Sequence, residues 1–198
     1  GDSGASYNCV IANTRPPSLE YKQVPAGTSK VVNFKAVNSA GARVDLTTLK
    51  IEWESAGNIV SGSGKAFTPN DTWGNKSVIQ FSLTPYLAAG ATGDTLRGAT
   101  INNYFYPNNQ SDTNVNYPAA LSNQGEIIDG SCIAATNKCT VTITGIPAGF
   151  DNYLVHFINM YKQSNITITG TSGTDTVQFE GGQAMIDVTG KARNVLQR

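Results

Sequence analysis

A mainly β fold, an antiparallel sheet or β-sandwich with only short helical turns, is what this sequence predicts, and three observations carry it. Apolar and polar residues alternate with a period of two in several short runs. Clusters of Gly, Asn, Ser and Pro punctuate the runs at intervals of roughly 8 to 20 residues, which suits a sandwich or open sheet better than alternating β-α units. Polarity comes from neutral groups: charged residues make up 14% of the chain, while 19 Asn, 21 Thr and 20 Gly supply amides, hydroxyls and turns, the composition of a Thr-decorated sheet with many loops.

The elements follow in chain order. Val31 to Ala36 is a weak strand signal. In Leu49-Lys50-Ile51-Glu52-Trp53-Glu54 the apolar residues take one face and the charges the other, a half-buried strand. Ile79 to Leu83 repeats that pattern, and Ile101 to Tyr106 repeats it more weakly. Val141-Thr142-Ile143, Ile166 to Thr169 and Val177 to Glu180 alternate again, with Ala184 to Val188 a weaker member. Tyr153 to Ile158 is apolar at nearly every position, so it is expected to be the central strand, covered on both faces. Turns are expected at Asn38 to Gly41, Ser61 to Gly64, Pro147 to Gly149, Thr171 to Gly173 and Gly181-Gly182. No run has the apolar stripe of a three-turn helix; Tyr86 to Ala89 and Ala119 to Leu121 each suit one short turn. Residues 107–125, rich in Asn, Ser, Asp and Gln, read as a long loop. No repeat or linker divides residues 1–198, which are read as a single domain.

Bulk properties exclude several classes of partner. Fourteen Lys plus Arg balance fourteen Asp plus Glu, so no net field draws in a nucleic acid or an anionic membrane. No apolar run approaches the roughly 20 residues of a membrane helix. The opening Gly1-Asp2-Ser3-Gly4 reads as the edge of a mature chain or of a fragment, and the C-terminus also reads as a cut edge.

Of the three cysteines, Cys132 and Cys139 bracket a turn-like Ala-Thr-Asn stretch. If that stretch is a hairpin, the two face each other across its strands at a separation that a disulfide spans. Closing so short a loop stabilises by about 2.5 kcal/mol on the chain-entropy model. A cystine fits an extracellular setting, and the alternative is two reduced thiols that happen to be close. Cys9 is left over, either paired outside this sequence or a buried free thiol.

Chemistry finds little foothold, and no catalytic residue, metal site or cofactor is expected. His156 is the only histidine and lies inside the most apolar run, where a core or semi-buried role outweighs that of a general base. No Gly-x-Ser-x-Gly elbow occurs, and zinc would find too few soft ligands. Glu52 and Glu54 share the solvent face of one strand, where each is simply hydrated rather than set up as a glycosidase pair. Gln110, Asp112 and Asn114 have part of the spacing of a calcium loop but lack its sixth-position Gly and closing Glu. Asn-x-Ser/Thr triplets begin at Asn70, Asn75, Asn109 and Asn165, and several arise by chance in so Asn- and Thr-rich a chain. The candidate ligand or partner contacts are aromatic: Trp73 in a turn-like stretch, and Tyr104, Tyr106 and Tyr117 flanking the polar loop. A ring face beside fixed amide donors suits carbohydrate or protein recognition, while the plain alternative is that these rings plug the sheet edges.

Four blocks, Leu46 to Glu54 (LTTLKIEWE), Ala99 to Pro107 (ATINNYFYP), Cys139 to Tyr161 (CTVTITGIPAGFDNYLVHFINMY) and Phe179 to Leu196 (FEGGQAMIDVTGKARNVL), resemble type IV pilin-like proteins, or minor pilins, of ultrasmall bacteria that live attached to host bacteria. The last block is the most specific, and together they cover about a third of the chain. The resemblance implies a β-rich head displayed on a pilus and anchored by an upstream apolar helix. That helix is not in this sequence, so the resemblance rests on the head, the variable part of such proteins. It implies no catalytic residues. Its expected partners are other pilin subunits and a host-cell surface protein or glycan, with the membrane reached only through the upstream helix. The expected function is therefore that of an extracellular structural or adhesive subunit at the cell surface; the alternative is a secreted carbohydrate-binding module.

Overall fold

Period-two alternation becomes strands nearly everywhere it occurs. In a computed structural model of the chain, backbone is described for residues 5–54, 77–108, 114–192 and 195–197, and side chains for residues 12–54, 77–108 and 114–186. The elements are β1 (Ala5–Asn13), β2 (Ser18–Val24), β3 (Thr28–Val37), β4 (Thr48–Glu54), β5 (Val78–Tyr86), α1 (Gly93–Ala99), β6 (Ile101–Asn108), β7 (Asn114–Asn116) and α2 (Tyr117–Ser122). After them come β8 (Ile127–Ile133), β9 (Lys138–Thr144), β10 (Asn152–Met160), β11 (Ser164–Ser172), β12 (Asp175–Thr176), β13 (Gln178–Glu180), β14 (Met185–Ala192) and β15 (Val195–Gln197). The fold is mainly β, with two short helices among the described residues.

One large sheet runs β12-β11-β4-β9-β8-β6-β5-β10-β3-β13, with β2 added beside β11 and β7 beside β9. Most neighbours are antiparallel; β6 with β8 and β7 with β9 are parallel. The sheet curls until its ends meet, giving a sandwich-like body close to a barrel. At the seam Phe179 donates its N–H to the Pro16 carbonyl (2.9 Å) and Arg15 pairs with Glu180 (2.9 Å). The Gln183 amide accepts from the Glu20 N–H and donates to the Glu20 carbonyl, both at 2.9 Å. One side chain thus satisfies both backbone groups of an edge residue in β2, where an uncovered edge would invite another strand. A separate three-stranded sheet, β1-β14-β15, joins the two ends of the described chain. Cys9 stands there opposite Thr189.

The inner faces of the curled sheet meet in one core. Trp53 packs near Phe105 (centroids 6.2 Å apart), Phe105 stacks with Phe81 (5.3 Å), and Phe34 touches both Tyr153 and Phe179. Such ring pairs each add about 0.5–1.5 kcal/mol beyond the area they bury. Two buried polar atoms on rings find partners: Trp53 Nε1 donates to the Ser77 carbonyl (2.8 Å), and the Tyr153 hydroxyl accepts from the Leu46 N–H (3.0 Å). Gly130 faces this core, and a Cβ there would lie 2.5 Å from the Trp53 ring. Cys132 and Cys139 are opposite one another in the β8-β9 hairpin, Cα atoms 3.9 Å apart, and form the expected disulfide.

Several expectations are corrected. Tyr153 to Ile158 lies in β10, which is paired on both edges by β5 and β3, but it alternates: Tyr153, Val155 and Phe157 are buried while Leu154, His156 and Ile158 are half-buried. The run looks uniform in sequence because its outer face is also apolar, not because a second layer covers it. Tyr86 to Ala89 is not helical; the helix is α1, started by a Thr92-Thr95 capping box. Residues 107–125 are not one long loop, since β6 runs to Asn108 and β7 leads into α2, with Pro118 in its first turn. The turn expected at Ser61 to Gly64 lies outside the described residues.

Candidate functional site

A groove of about 320 Å³ crosses the outer face of four adjacent strands and is lined by Val78, Tyr104, Gly125, Ile127, Met160 and Tyr161. Sheet register assembles it. Met160 at the end of β10 pairs with Val78 of β5, Gln80 of β5 pairs with Tyr104 of β6, and Tyr104 pairs with Ile127 of β8. Backbone beside the groove is already occupied: Gly125 donates its N–H to the Asn102 carbonyl (2.7 Å) and Tyr104 to the Glu126 carbonyl (2.9 Å). Gly125 has φ 73°, a left-handed conformation that glycine adopts without strain and that lets the chain turn back into β8. At the other end Asn159 is fully buried and its Nδ2 donates to the Lys162 and Val24 carbonyls, both at 2.7 Å, tying the turn after β10 to the turn after β2. Among the described residues the lining is mainly apolar, with the two tyrosines, and includes no charged side chain.

The aromatic candidates separate on this structure. Tyr104 is half-buried and lines the groove. Tyr106 and Tyr117 do not offer ring faces to a partner: they are 6% and 3% exposed. The Tyr117 hydroxyl donates to the Ala99 carbonyl, fastening α2 beside β6, and burial pushes its pKa up to about 12. Tyr117 is buried because it opens α2 and packs with Ala120 into the core. Trp73 lies outside the described residues. Met160, Tyr161 and Ile127 were not singled out by sequence reasoning. The only signal was an aromatic residue standing at the turn that ends the most apolar run.

The other chemical candidates are engaged. Glu52, Glu54, Lys138, Asn165 and Thr167 line a polar cleft of about 210 Å³ on the outer face of β4, β9 and β11. Glu52 is paired with Lys50 (2.8 Å), and Glu54 accepts from Asn165 Nδ2 (2.7 Å). Asn165 Oδ1 in turn accepts from the Gln23 N–H (2.7 Å), where β2 bulges against β11. That side chain is therefore committed to holding an edge strand, and of the four triplets Asn165 is the one whose asparagine is described. His156 is half-buried with Nε2 2.8 Å from Ser29 Oγ. Gln110 and Asp112 lie outside the described residues, and Asn114 sits in β7. Among the described residues no cluster of His, Cys, Asp or Glu could hold a metal ion, and no helix is long and apolar enough to cross a membrane.

Compared with protein-family models and with curated proteins, the sequence matches none.

Proposed function

We propose that the chain is the head of an extracellular, pilus-associated subunit that works by contact and assembly rather than by turnover. The observation that carries this reading is the stapled, edge-closed β body with an aromatic groove on its outer face whose described lining residues are uncharged. A disulfide between Cys132 and Cys139 fits an oxidising compartment. Closure of the seam by Gln183 suits a body held in place while its surface is used. The four sequence blocks that resemble minor pilins supply the link to a pilus. The carbohydrate-binding alternative keeps Tyr104 but loses the ring faces of Tyr106 and Tyr117 to the interior.

Immunogold labelling of intact source cells, with antibodies raised against this chain, tests the proposal. Gold along surface filaments is the expected result. Label confined to the cytoplasm overturns it.

A further inference from the structure

The polar cleft on the outer face of β4, β9 and β11 is built within the sheet, since β4 is paired on one edge by β11 and on the other by β9. Strand register sets out its functional groups as two pairs of acceptor and donor. Thr167 stands directly opposite Glu52, and Lys138 directly opposite Glu54. Partners across such a ladder have Cβ atoms about 5 Å apart, and residues two apart on one strand lie about 7 Å apart. Both carboxylates are held by neighbours. Lys50 Nζ lies 2.8 Å from Glu52 Oε2, while Asn165 Nδ2 donates to Glu54 Oε2 (2.7 Å) and Asn165 Oδ1 accepts from the Gln23 N–H (2.7 Å). Each carboxylate keeps a second oxygen, Oε1, for another donor. Beside them stand the exposed Lys138 and the half-buried Thr167.

We propose that this cleft binds a neutral sugar unit of a glycan, with each of two sugar hydroxyls lying between one carboxylate and one donor. The inference deepens the contact-head reading by naming a partner, and takes from it only the extracellular setting. The mixture of charges selects the ligand. A metal ion or organic cation drawn to Glu52 and Glu54 meets the Lys138 ammonium, and an anion drawn to Lys138 meets two carboxylates. A hydroxyl donates and accepts at once. One placed between Glu54 and Lys138, and a second between Glu52 and Thr167, therefore satisfy all four groups without bringing in a charge. Hydrogen bonds to ionised partners are also the stronger ones. Carboxylates carried on a paired strand and fixed by neighbours lose little freedom when a ligand arrives. At about 210 Å³ the cleft falls below the roughly 300–1,000 Å³ typical of drug-sized sites, which suits one sugar unit with the rest of the glycan outside.

The test is a nitrogen-15 NMR titration of the whole chain with methyl α-mannoside, methyl β-galactoside and diacetylchitobiose in turn, and with calcium chloride, lysine amide and sodium acetate as charged comparisons. At least one of the three sugars is expected to give saturable shifts centred on Glu52, Glu54, Lys138, Asn165 and Thr167. Glu54→Gln retains an acceptor for Asn165, so the fold holds while the charge goes. That variant and Lys138→Met are each expected to weaken sugar binding about tenfold, through loss of one charge-assisted hydrogen bond. Tyr104→Ala, in the separate groove, is expected to leave it unchanged. The proposal is overturned if none of the three sugars shifts these residues, if a charged comparison binds there more tightly than every sugar, or if Glu54→Gln and Lys138→Met both bind as tightly as the parent. Gold along surface filaments without sugar binding removes this inference alone, whereas label confined to the cytoplasm with a sugar-bound cleft removes the contact-head reading alone.

Discussion

At the residue scale, the core is organised around positions where one atom more or fewer decides packing. Gly130 is such a position, because the Trp53 ring occupies the space that a side chain would need. Gly130→Ala is expected to cost about 1–3 kcal/mol, the usual range for overpacking a filled core, and a urea melt measures it. Tyr117 gives a pH-dependent counterpart. Burial raises its hydroxyl from the ordinary 10.0 to about 12, so the folded state favours the protonated form more than the unfolded chain does. Its contribution is therefore complete below pH 10 and is lost as pH climbs from about 10 to 12. Burial raises the Tyr153 hydroxyl in the same direction. Near-ultraviolet circular dichroism against pH should show tertiary structure weakening in that interval, and Tyr117→Phe should shallow the decline while lowering stability at neutral pH through loss of the Ala99 contact. A profile unchanged by Tyr117→Phe would contradict this assignment.

Among the elements, the edges of the sheet are the exposed flank, and they are handled unequally. β12 and β13 are two and three residues long, whereas β2 is seven residues long and relies on a borrowed amide, that of Gln183. Gln183→Ala removes two hydrogen bonds and is expected to cost about 1–2 kcal/mol. Amide exchange at Glu20 should accelerate more than at Ile166 or Ile168, which lie within the sheet; equal acceleration at all three would mean that the seam is not locally closed by Gln183. The same elements explain how much was legible beforehand. β4, β5, β9 and β11 could be read because one face of each is core and the other is wet. β2 could not, since the bulge at Gln23 breaks its alternation and leaves Leu19 and Val24 as its only buried members. α1 was hidden for a different reason: it buries no residue and depends on its Thr92 cap, so no apolar period marks it. In the groove, Tyr104 could be picked out as an aromatic beside amides. Its neighbours Ile127, Met160 and Tyr161 become neighbours only through strand register, which no local pattern encodes.

Taken as a whole, the molecule is held by pairings between distant parts of the chain. β2 and β4 both lean on β11, and β3 lies between β10 and β13. Non-local pairing of this kind slows folding, because the loop-closure cost precedes the reward. Stopped-flow refolding with the disulfide kept intact should therefore fall in the millisecond-to-second range of all-β domains, and a microsecond phase carrying the full amplitude would refute that.

This wiring bears on how the body is made. Leu19, Val24, Val32 and Phe34 leave the ribosome early, yet the strands that bury them come from beyond residue 152. For most of synthesis, the first third of the chain is sticky and without shelter. Nascent chains arrested before Asn152 should need a holding chaperone to stay dispersed, while release past Gln183 lets the early strands and the late ones shelter each other within a single event.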